Sequence, residues 1–542
     1  MRPLFIKILF MNLSALHRLM RILVAGPGTG KTTKIKGIID AEFASAKRII
    51  VLSFTNFTVN DLTASFADPK YKNIVCSTLH KFAMKLNHLK DHYVLGQKEI
   101  NILEELAAKL EIEILDLYSL LKCITFDEMI ASCLRFIETN PKYVRDILDE
   151  VDLLIVDEFQ DFNPNEQKLL LHISEIATET IILGDDDQAI YGFKDARPDG
   201  IISIFEDKSV TRIQHENICY RCPDAVVEHA TALILKNKQR ISKEWKKNGN
   251  PGSVSFDQFR NLAESDAAIL ASIQNIKKNE PEASILVLSR WKIVVAGLKE
   301  LLEINKVPFR DCWFEDHELD LYIKIWWLNA IYGSHRVLFL IFLLKAHHAL
   351  TKAKARGLIE EGLKKGFDDK ALIREITNKK YLTSEFLTYL TAPLSLDDFF
   401  NKHEEYKEIE PHINQLDLKR SLPKLAQALS PNKDFVRGEI NLMSIHKSKG
   451  LQADYVFING LVAGIIPNEA EGFDTIEAER RLLFVAITRA GKELILYATY
   501  TWDGATLNQN LADKKQFQYN FMRKNWNGKA STFISEMALK AS

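Results

Sequence analysis

Residues 21–43 read RILVAGPGTGKTTKIKGIIDAEF, and the order of residue types in this stretch decides the fold. Arg21 to Ala25 is a short apolar run with β character, Gly26 to Gly30 is a glycine-rich loop, and the segment from Lys31 has helical spacing. Strand, glycine loop and helix in that order form a phosphate-binding loop. Ala25, Gly26, Pro27, Gly28, Thr29, Gly30, Lys31, Thr32 and Thr33 carry its spacing, with Ala25 in place of the usual first glycine. Successive backbone N–H groups and a helix N-terminus cradle phosphates, a lysine reaches the β- and γ-phosphates, and a hydroxyl serves Mg²⁺. A glycine loop used only as a turn needs neither Lys31 nor Thr32. The stretch therefore predicts binding of ATP or GTP with Mg²⁺.

Outward from this loop, buried strands alternate with helices. Apolar runs occur at Arg48–Phe54, Asp152–Val156 and Thr180–Leu183, and the last two end in acidic clusters. That alternation predicts an α/β architecture, a parallel sheet covered by helices on both faces. Further runs at Ala283–Leu288, Glu439–Ser444, Tyr455–Ile458 and Glu493–Ala498 predict a second sheet. Residues 85–150 read as helical and charged, and 315–430 as a long helical block without strand punctuation.

At 542 residues the chain holds three or four domains of about 100–200 residues each. With 46% hydrophobic and 26% charged residues it is an ordinary folded protein, which excludes disordered, collagen-like and small disulfide-bonded classes. Lys plus Arg (71) against Asp plus Glu (72) excludes a globally basic nucleic-acid coat but permits a local basic cleft. Six irregularly spaced cysteines read as reduced thiols in a cytoplasmic protein. The apolar run Val337–Leu344 is eight residues, too short to span a bilayer, so no membrane association is expected. Residues 1–20 carry no motif and read as a dispensable leader.

Asp157 and Glu158 end the buried DLLIV run. A carboxylate at a strand's C-terminal edge beside a phosphate loop can hold Mg²⁺, and its neighbour can act as general base on water. Asp157 and Thr32 are thus the candidate metal ligands. From here the wider pattern becomes informative. VDEFQDFNPNEQ (156–167), LGDDDQAIYGF (183–193), CYR (219–221), SIHKSKGLQADYVFINGLVAGIIP (444–467) and ERRLLFVAITRA (479–490) occur in fixed order, with SFTN (53–56) and STLHKFA (77–83) earlier. The set resembles the superfamily 1A DNA helicases of the UvrD/Rep/PcrA group over residues 21 to 540.

The resemblance implies two RecA-like P-loop domains with parallel sheets plus two mainly helical inserted subdomains. The expected boundaries are 21–84 with 151–215 for the first core, 85–150 for its insertion, 216–344 with 426–503 for the second core, 345–425 for its insertion, and a tail at 504–542. ATP would lie between the cores. Gln160 and Gln188 would sense the γ-phosphate and attacking water. Tyr220 would stack on adenine, Arg221 and Arg489 would serve as arginine fingers, Gly450 and Gln452 would contact nucleotide, and Arg290 would fit a minor motif of the second core. Single-stranded DNA would run across both cores, meeting Phe54, Asn56, Thr78, His80, Tyr191, Phe193 and His446, with bases stacked on the aromatics in a sequence-tolerant way.

The activity so implied is DNA-stimulated, Mg²⁺-dependent ATP hydrolysis driving 3′-to-5′ translocation on single-stranded and forked DNA. The alternative is an ATP-gated subunit of a nuclease complex in DNA repair or phage defence. The chain departs from the family pattern in three respects. Its first glutamine is Gln97, so no Gln-containing adenine motif precedes the phosphate loop; Gln452 replaces a common Glu; and both insertions are short. Other features read as background. Cys219-Tyr-Arg-Cys222 lacks a second ligand pair for zinc, and His347-His348 reads as a solvated helix face. Two basic stretches, Lys236–Lys247 and Lys514–Lys529, read as solvated surface, with a nucleic-acid or partner contact as the alternative.

Overall fold

The computed structural model describes residues 19–313 (except 90, 149 and 150), 319–332, 336–346, 388–389, 393–403, 435–468, 475–503, 507, 514–520 and 522–540. In chain order the first strands are β1 (Leu19–Val24), β2 (Ile49–Ser53), β3 (Ile74–Thr78), β4 (Tyr93–Val94), β5 (Cys123–Ile124), β6 (Leu153–Val156), β7 (Glu179–Gly184) and β8 (Thr211–Arg212). Six of them form an all-parallel sheet in the order β3-β2-β6-β7-β1-β8. β2 and β6 are buried along their whole length, as strands covered on both faces must be, which is why they read as unbroken apolar runs.

The second sheet comprises β9 (Ser253–Asn261), β10 (Ile285–Ser289), β11 (Arg310–Asp311), β12 (Ile440–Ser444), β13 (Ala453–Asn459), β14 (Ala490–Trp502), β15 (Gln518–Asn520) and β16 (Asn525–Asn527). Its order is β11-β12-β10-β13-β14-β16-β15, with β9 alongside β14. Its central strands pair parallel, as expected, and only its far edge is antiparallel. β16 pairs antiparallel with the end of β14, and β15 pairs antiparallel with β16 across a tight turn at 522–524. β9 was not expected from sequence, since its mixed burial gives no continuous apolar run. Parallel pairing puts the strand C-termini of each sheet on one edge, where an α/β fold places its ligands.

Two compact units divide the chain. One holds residues 1–82, 137–313 and 432–542, and includes both sheets; the other holds 83–136 and 314–431. The helix Pro141–Leu148, inside the stretch expected as the first insertion, falls in the sheet-bearing unit. In the second unit the helices Gln97–Leu110, Ile114–Leu121, Leu319–Tyr332, Arg336–Ala346 and Leu396–Lys402 share one core built from Leu103, Leu117, Trp326, Phe339, Phe342 and Phe399, with the short parallel pair β4–β5 beside it. Segments of both expected insertions thus contribute to a single apolar cluster. No helix among the described residues is long and apolar enough to cross a membrane. The leader residues 1–18 and the pair His347-His348 lie outside the described residues, while Leu19 and Met20 already pair with Glu179 and Thr180 of β7.

Candidate functional site: a nucleotide cleft and an aromatic row

β1 delivers the phosphate loop. Ala25 extends the strand by donating its N–H to the Gly184 carbonyl (3.2 Å), and the chain then turns through Gly28 and Gly30, both at positive φ. Gly28 is required twice over, because a Cβ there would also sit 2.5 Å from Cβ of Arg221. The helix Lys31–Glu42 opens with no side-chain cap, so its first N–H groups remain available for an anion. Lys31 Nζ lies over the loop, donating to the Ala25 carbonyl at 3.2 Å, and the Thr29 hydroxyl donates to the Gly26 carbonyl at 2.8 Å.

Gly26 to Thr33 line one cavity together with Phe54, Asp157, Glu158, Asp161, Gln188, Tyr191, Arg221, Lys449 and Gly450. Asp157 and Glu158 reach it from the end of β6. Burial, and then the neighbouring Glu158 charge, push Asp157 up to about 7. Burial also works against the Glu158 charge, but the ammonium groups of Lys31 and Lys449 outweigh it and hold that carboxyl below its usual range. The pair is therefore differentiated: one carboxyl near neutrality, its neighbour firmly ionised. Glu158 sits at φ 54°, a left-handed conformation that costs a non-glycine residue about 1 kcal/mol or more. Gln160 holds it there, with Nε2 donating to Glu158 Oε2 and Oε1 accepting from the Asp185 N–H at 3.0 Å. Gln160 is buried behind the cavity and orients Glu158 without lining the cavity itself.

Arg489 is likewise one step removed. It is 1% exposed; its Nε donates to the Val485 carbonyl (2.7 Å) and its Nη2 to Gln188 Oε1 (3.3 Å). Gln188 Nε2 in turn donates to Asp185 Oδ2 at 2.7 Å. Burial, reinforced by Arg221, pulls the guanidinium down to about 9, still charged at neutral pH. The sequence reading missed Lys449, the residue before Gly450. Its Nζ donates to Asp161 Oδ1 (2.6 Å) and the Gln188 carbonyl (2.7 Å) and stands 3.9 Å from Glu158. The only signal for it was a lysine inside SKGL.

Tyr220, 61% exposed, and Gln452 line an adjoining cavity with Gly28, Lys34, His215 and Arg221. Arg290 is committed elsewhere, paired with Glu479 at 2.6 Å.

Along another face run four rings. Phe54 and Tyr191 lie 5.2 Å apart, Tyr191 and Phe193 5.9 Å, and Phe193 and His446 5.5 Å. Phe193 is 65% exposed, so it is not a core residue. Burial pushes His446 down to about 4, leaving a neutral ring beside Phe193. Asn56 accepts from Lys81 Nζ at 2.8 Å. Thr78 is buried, its hydroxyl accepting from the Lys81 N–H at the start of the helix Leu79–Leu86. His80 contacts Glu166 at 3.3 Å; burial pushes its pKa down to about 4, so this is a hydrogen bond of a neutral imidazole rather than an ion pair.

The reading of Lys236–Lys247 as solvated surface or nucleic-acid contact is corrected for its central residues. Lys243 Nζ lies 3.0, 2.6 and 2.7 Å from Asp185, Asp186 and Asp187, and Arg240 pairs with Asp187 at 2.7 Å. Those aspartates are the one cluster of three or more acidic, His or Cys ligands among the described residues, and Lys243 and Arg240 offset two of their three charges. In the stretch Lys514–Lys529, Phe517 is buried against Trp502 and Trp526 packs on the core, so only part of it is surface; Phe521 lies outside the described residues. Cys219 and Cys222 are buried free thiols, with the Cys222 N–H donating to Cys219 Sγ at 3.3 Å.

The comparisons with known proteins agree with this geometry. A family profile described as an AAA domain matches residues 11–194, and one described as a UvrD-like helicase C-terminal domain matches residues 369–501. The chain belongs to the UvrD-like helicases of superfamily 1A. It is 24% identical to the ATP-dependent DNA helicase PcrA of Leuconostoc citreum over 69% of this chain and 57% of that protein. It is 26% identical to the ATP-dependent DNA helicase Rep of Buchnera aphidicola over 68% of this chain and 65% of that protein. YjcD of Bacillus subtilis matches at 24% over 74% of this chain and 58% of its own length. The chain thus spans about three fifths of the length of these UvrD-like relatives.

Proposed function

We propose that this chain is a DNA-stimulated ATPase that translocates 3′ to 5′ on single-stranded DNA and opens forked duplex. One observation carries the reading: a single cavity is lined by the phosphate loop, Asp157 and Glu158 on one side, and by Arg221, Lys449 and Gly450 from the segments of the second core on the other. Hydrolysis spreads negative charge over the γ-phosphate oxygens, so cations supplied from a second domain favour the closed, reacting state. Lys31 and Arg221 are the cations for the phosphates. Glu158, kept ionised by Lys31 and Lys449, is the base that takes a proton from the attacking water. Gln188 connects that chemistry to Arg489.

The residues present fit a magnesium ion. Thr32 and Asp157 line the same cavity and both offer hard oxygen ligands. When bound, the ion supplies charge neutralisation and orientation of the phosphates. The aromatic row Phe54–Tyr191–Phe193–His446 supports a stacking platform for bases, and Phe54 and Tyr191 belong to both the row and the nucleotide cavity. Those shared residues supply a physical route by which DNA alters hydrolysis. The polarity of movement follows the family resemblance alone.

The test is ATPase activity with and without oligo-dT, alongside unwinding of duplexes carrying a 3′ or a 5′ tail. Lys31→Ala should abolish hydrolysis in a folded protein. ATPase indifferent to single-stranded DNA, or turnover by Lys31→Ala above about a tenth of wild type, would overturn the reading.

A further inference from the structure

Four consecutive residues of the phosphate loop are each hydrogen-bonded from outside the loop. The Gly26 N–H donates to Asn217 Oδ1 (3.1 Å), the Pro27 carbonyl accepts from Trp245 Nε1 (3.1 Å), the Gly28 carbonyl accepts from the Tyr220 N–H (2.9 Å), and the Thr29 carbonyl accepts from His215 Nε2 (2.8 Å). Three of the four partners lie within residues 215–220, where the chain passes from β8 towards the second core. The fourth, Trp245, arrives from the later strap 238–247.

That strap is fixed at both ends. Lys246 exchanges backbone hydrogen bonds with Asn217 and Cys219, each at 2.9 Å. Upstream, the Ile241 N–H donates to Asp186 Oδ2 at 2.8 Å, and Lys243 is locked into the aspartate cluster. The indole therefore cannot drift from the loop without breaking the strap. Its ring also stands edge-on to Phe484, centroids 5.6 Å apart, on the helix Ile476–Ile487 that leads directly into Arg489. On the loop side the fit is tight: a Cβ added to Gly26 would lie 2.7 Å from Trp245 Cδ1, with only indole atoms among its nearest neighbours. Gly26 has no need of positive φ, so this glycine is demanded by the tryptophan.

We propose that Trp245 is a positioning residue for the phosphate loop, seating Gly26 and Pro27 and joining them through Phe484 to the helix that carries Arg489. It lines neither nucleotide cavity. It acts by fixing where the loop's N–H donors point. One hydrogen bond and one packed edge hold a backbone whose donors must be aimed before nucleotide arrives, so their loss appears first as weaker ATP binding. This rests on the reading of the loop as an ATP site.

The experiment is a steady-state and thermal-melt comparison of Trp245→Phe, Gly26→Ala and the double variant Gly26→Ala/Trp245→Ala, with Lys31→Ala as control. Trp245→Phe keeps the ring but loses the N–H. It should raise KM for ATP about two- to tenfold, the worth of one neutral hydrogen bond, with kcat and melting temperature nearly unchanged. Gly26→Ala should raise KM more than tenfold, and removing the indole in the double variant should restore part of that loss. Rescue in the double variant reports the steric contact, and the KM shift of Trp245→Phe at unchanged melting temperature reports the positioning role. The proposal is overturned if Trp245→Phe leaves KM unaltered, or if the double variant binds ATP no better than Gly26→Ala alone. Failure of the ATP-site reading is distinguishable, because Lys31→Ala would then hydrolyse ATP like wild type.

Discussion

Replacing Lys243 with methionine tests whether the basic stretch is a structural clamp or a DNA contact. The ammonium lies within 3.0 Å of three carboxylates and its side chain is 7% exposed. Lys243→Met conserves most of the volume but leaves the three aspartates with Arg240, which pairs with Asp187 alone. Removing one partner from a buried ion cluster costs about 3–5 kcal/mol, because the stranded charge cannot recover its hydration. Protonation limits the damage. Burial already pushes Asp186 up to about 6 against the pull of Lys243, and losing that cation raises it further. The folded variant then binds a proton that the unfolded chain, with its ordinary aspartate, does not. Its stability relative to wild type therefore falls as pH rises, by about 1.4 kcal/mol per unit between pH 6 and the new, higher pKa. The assay is urea unfolding followed by tryptophan fluorescence at pH 6, 7 and 8. Trp245, two residues along, reports on the same strap. A midpoint equal to wild type, or a deficit that does not grow with pH, refutes the clamp. If the stretch were instead a DNA contact, the loss would appear as weaker oligo-dT binding with a shallower salt dependence and intact stability.

Three further outcomes are expected. Arg489→Ala, which removes the bond that orients Gln188, should bind ATP almost normally but turn over about 10²-fold more slowly or worse, measured by nucleotide titration and single-turnover hydrolysis. Collapse of binding along with turnover would make Arg489 structural, as its bond to the Val485 carbonyl also permits. Phe193→Ala should lose about 1–3 kcal/mol of oligo-dT affinity while basal ATPase and melting temperature stay near wild type, since the ring is 65% exposed; a large drop in melting temperature with unchanged affinity would remove it from the DNA site. Asp157, pushed up to about 7 by burial and Glu158, must shed a proton to hold Mg²⁺, so below that pH the magnesium concentration for half-maximal ATPase should rise up to about tenfold per unit. Identical magnesium dependence at pH 6 and pH 8 would rule that ligand out.

The sequence by itself determined whatever depends on local order. A buried run followed by glycines, Lys31 and Thr32 can hardly be anything but a strand, a phosphate loop and a helix, because the steric and hydrogen-bonding demands of that turn are met within about ten residues. The carboxylates Asp157 and Glu158 were legible for the same reason: a fully apolar run ending in acids announces a central parallel strand whose C-terminal edge faces a ligand. β9, β15 and β16 were not legible, since short or half-exposed strands carry no continuous apolar signal. Only the tertiary structure decided the fate of the charges. Lys243 finds its three aspartates more than fifty residues away, Lys449 finds Asp161 288 residues away, and Arg489 meets Gln188 across 301 residues. Nothing in KNKQRISKEWKK separates a surface lysine from a buried one, because a charge is committed by the partners folding brings to it. Trp245 shows the same limit: its position in the sequence marks an aromatic among lysines, and only the folded chain sets its indole against Gly26.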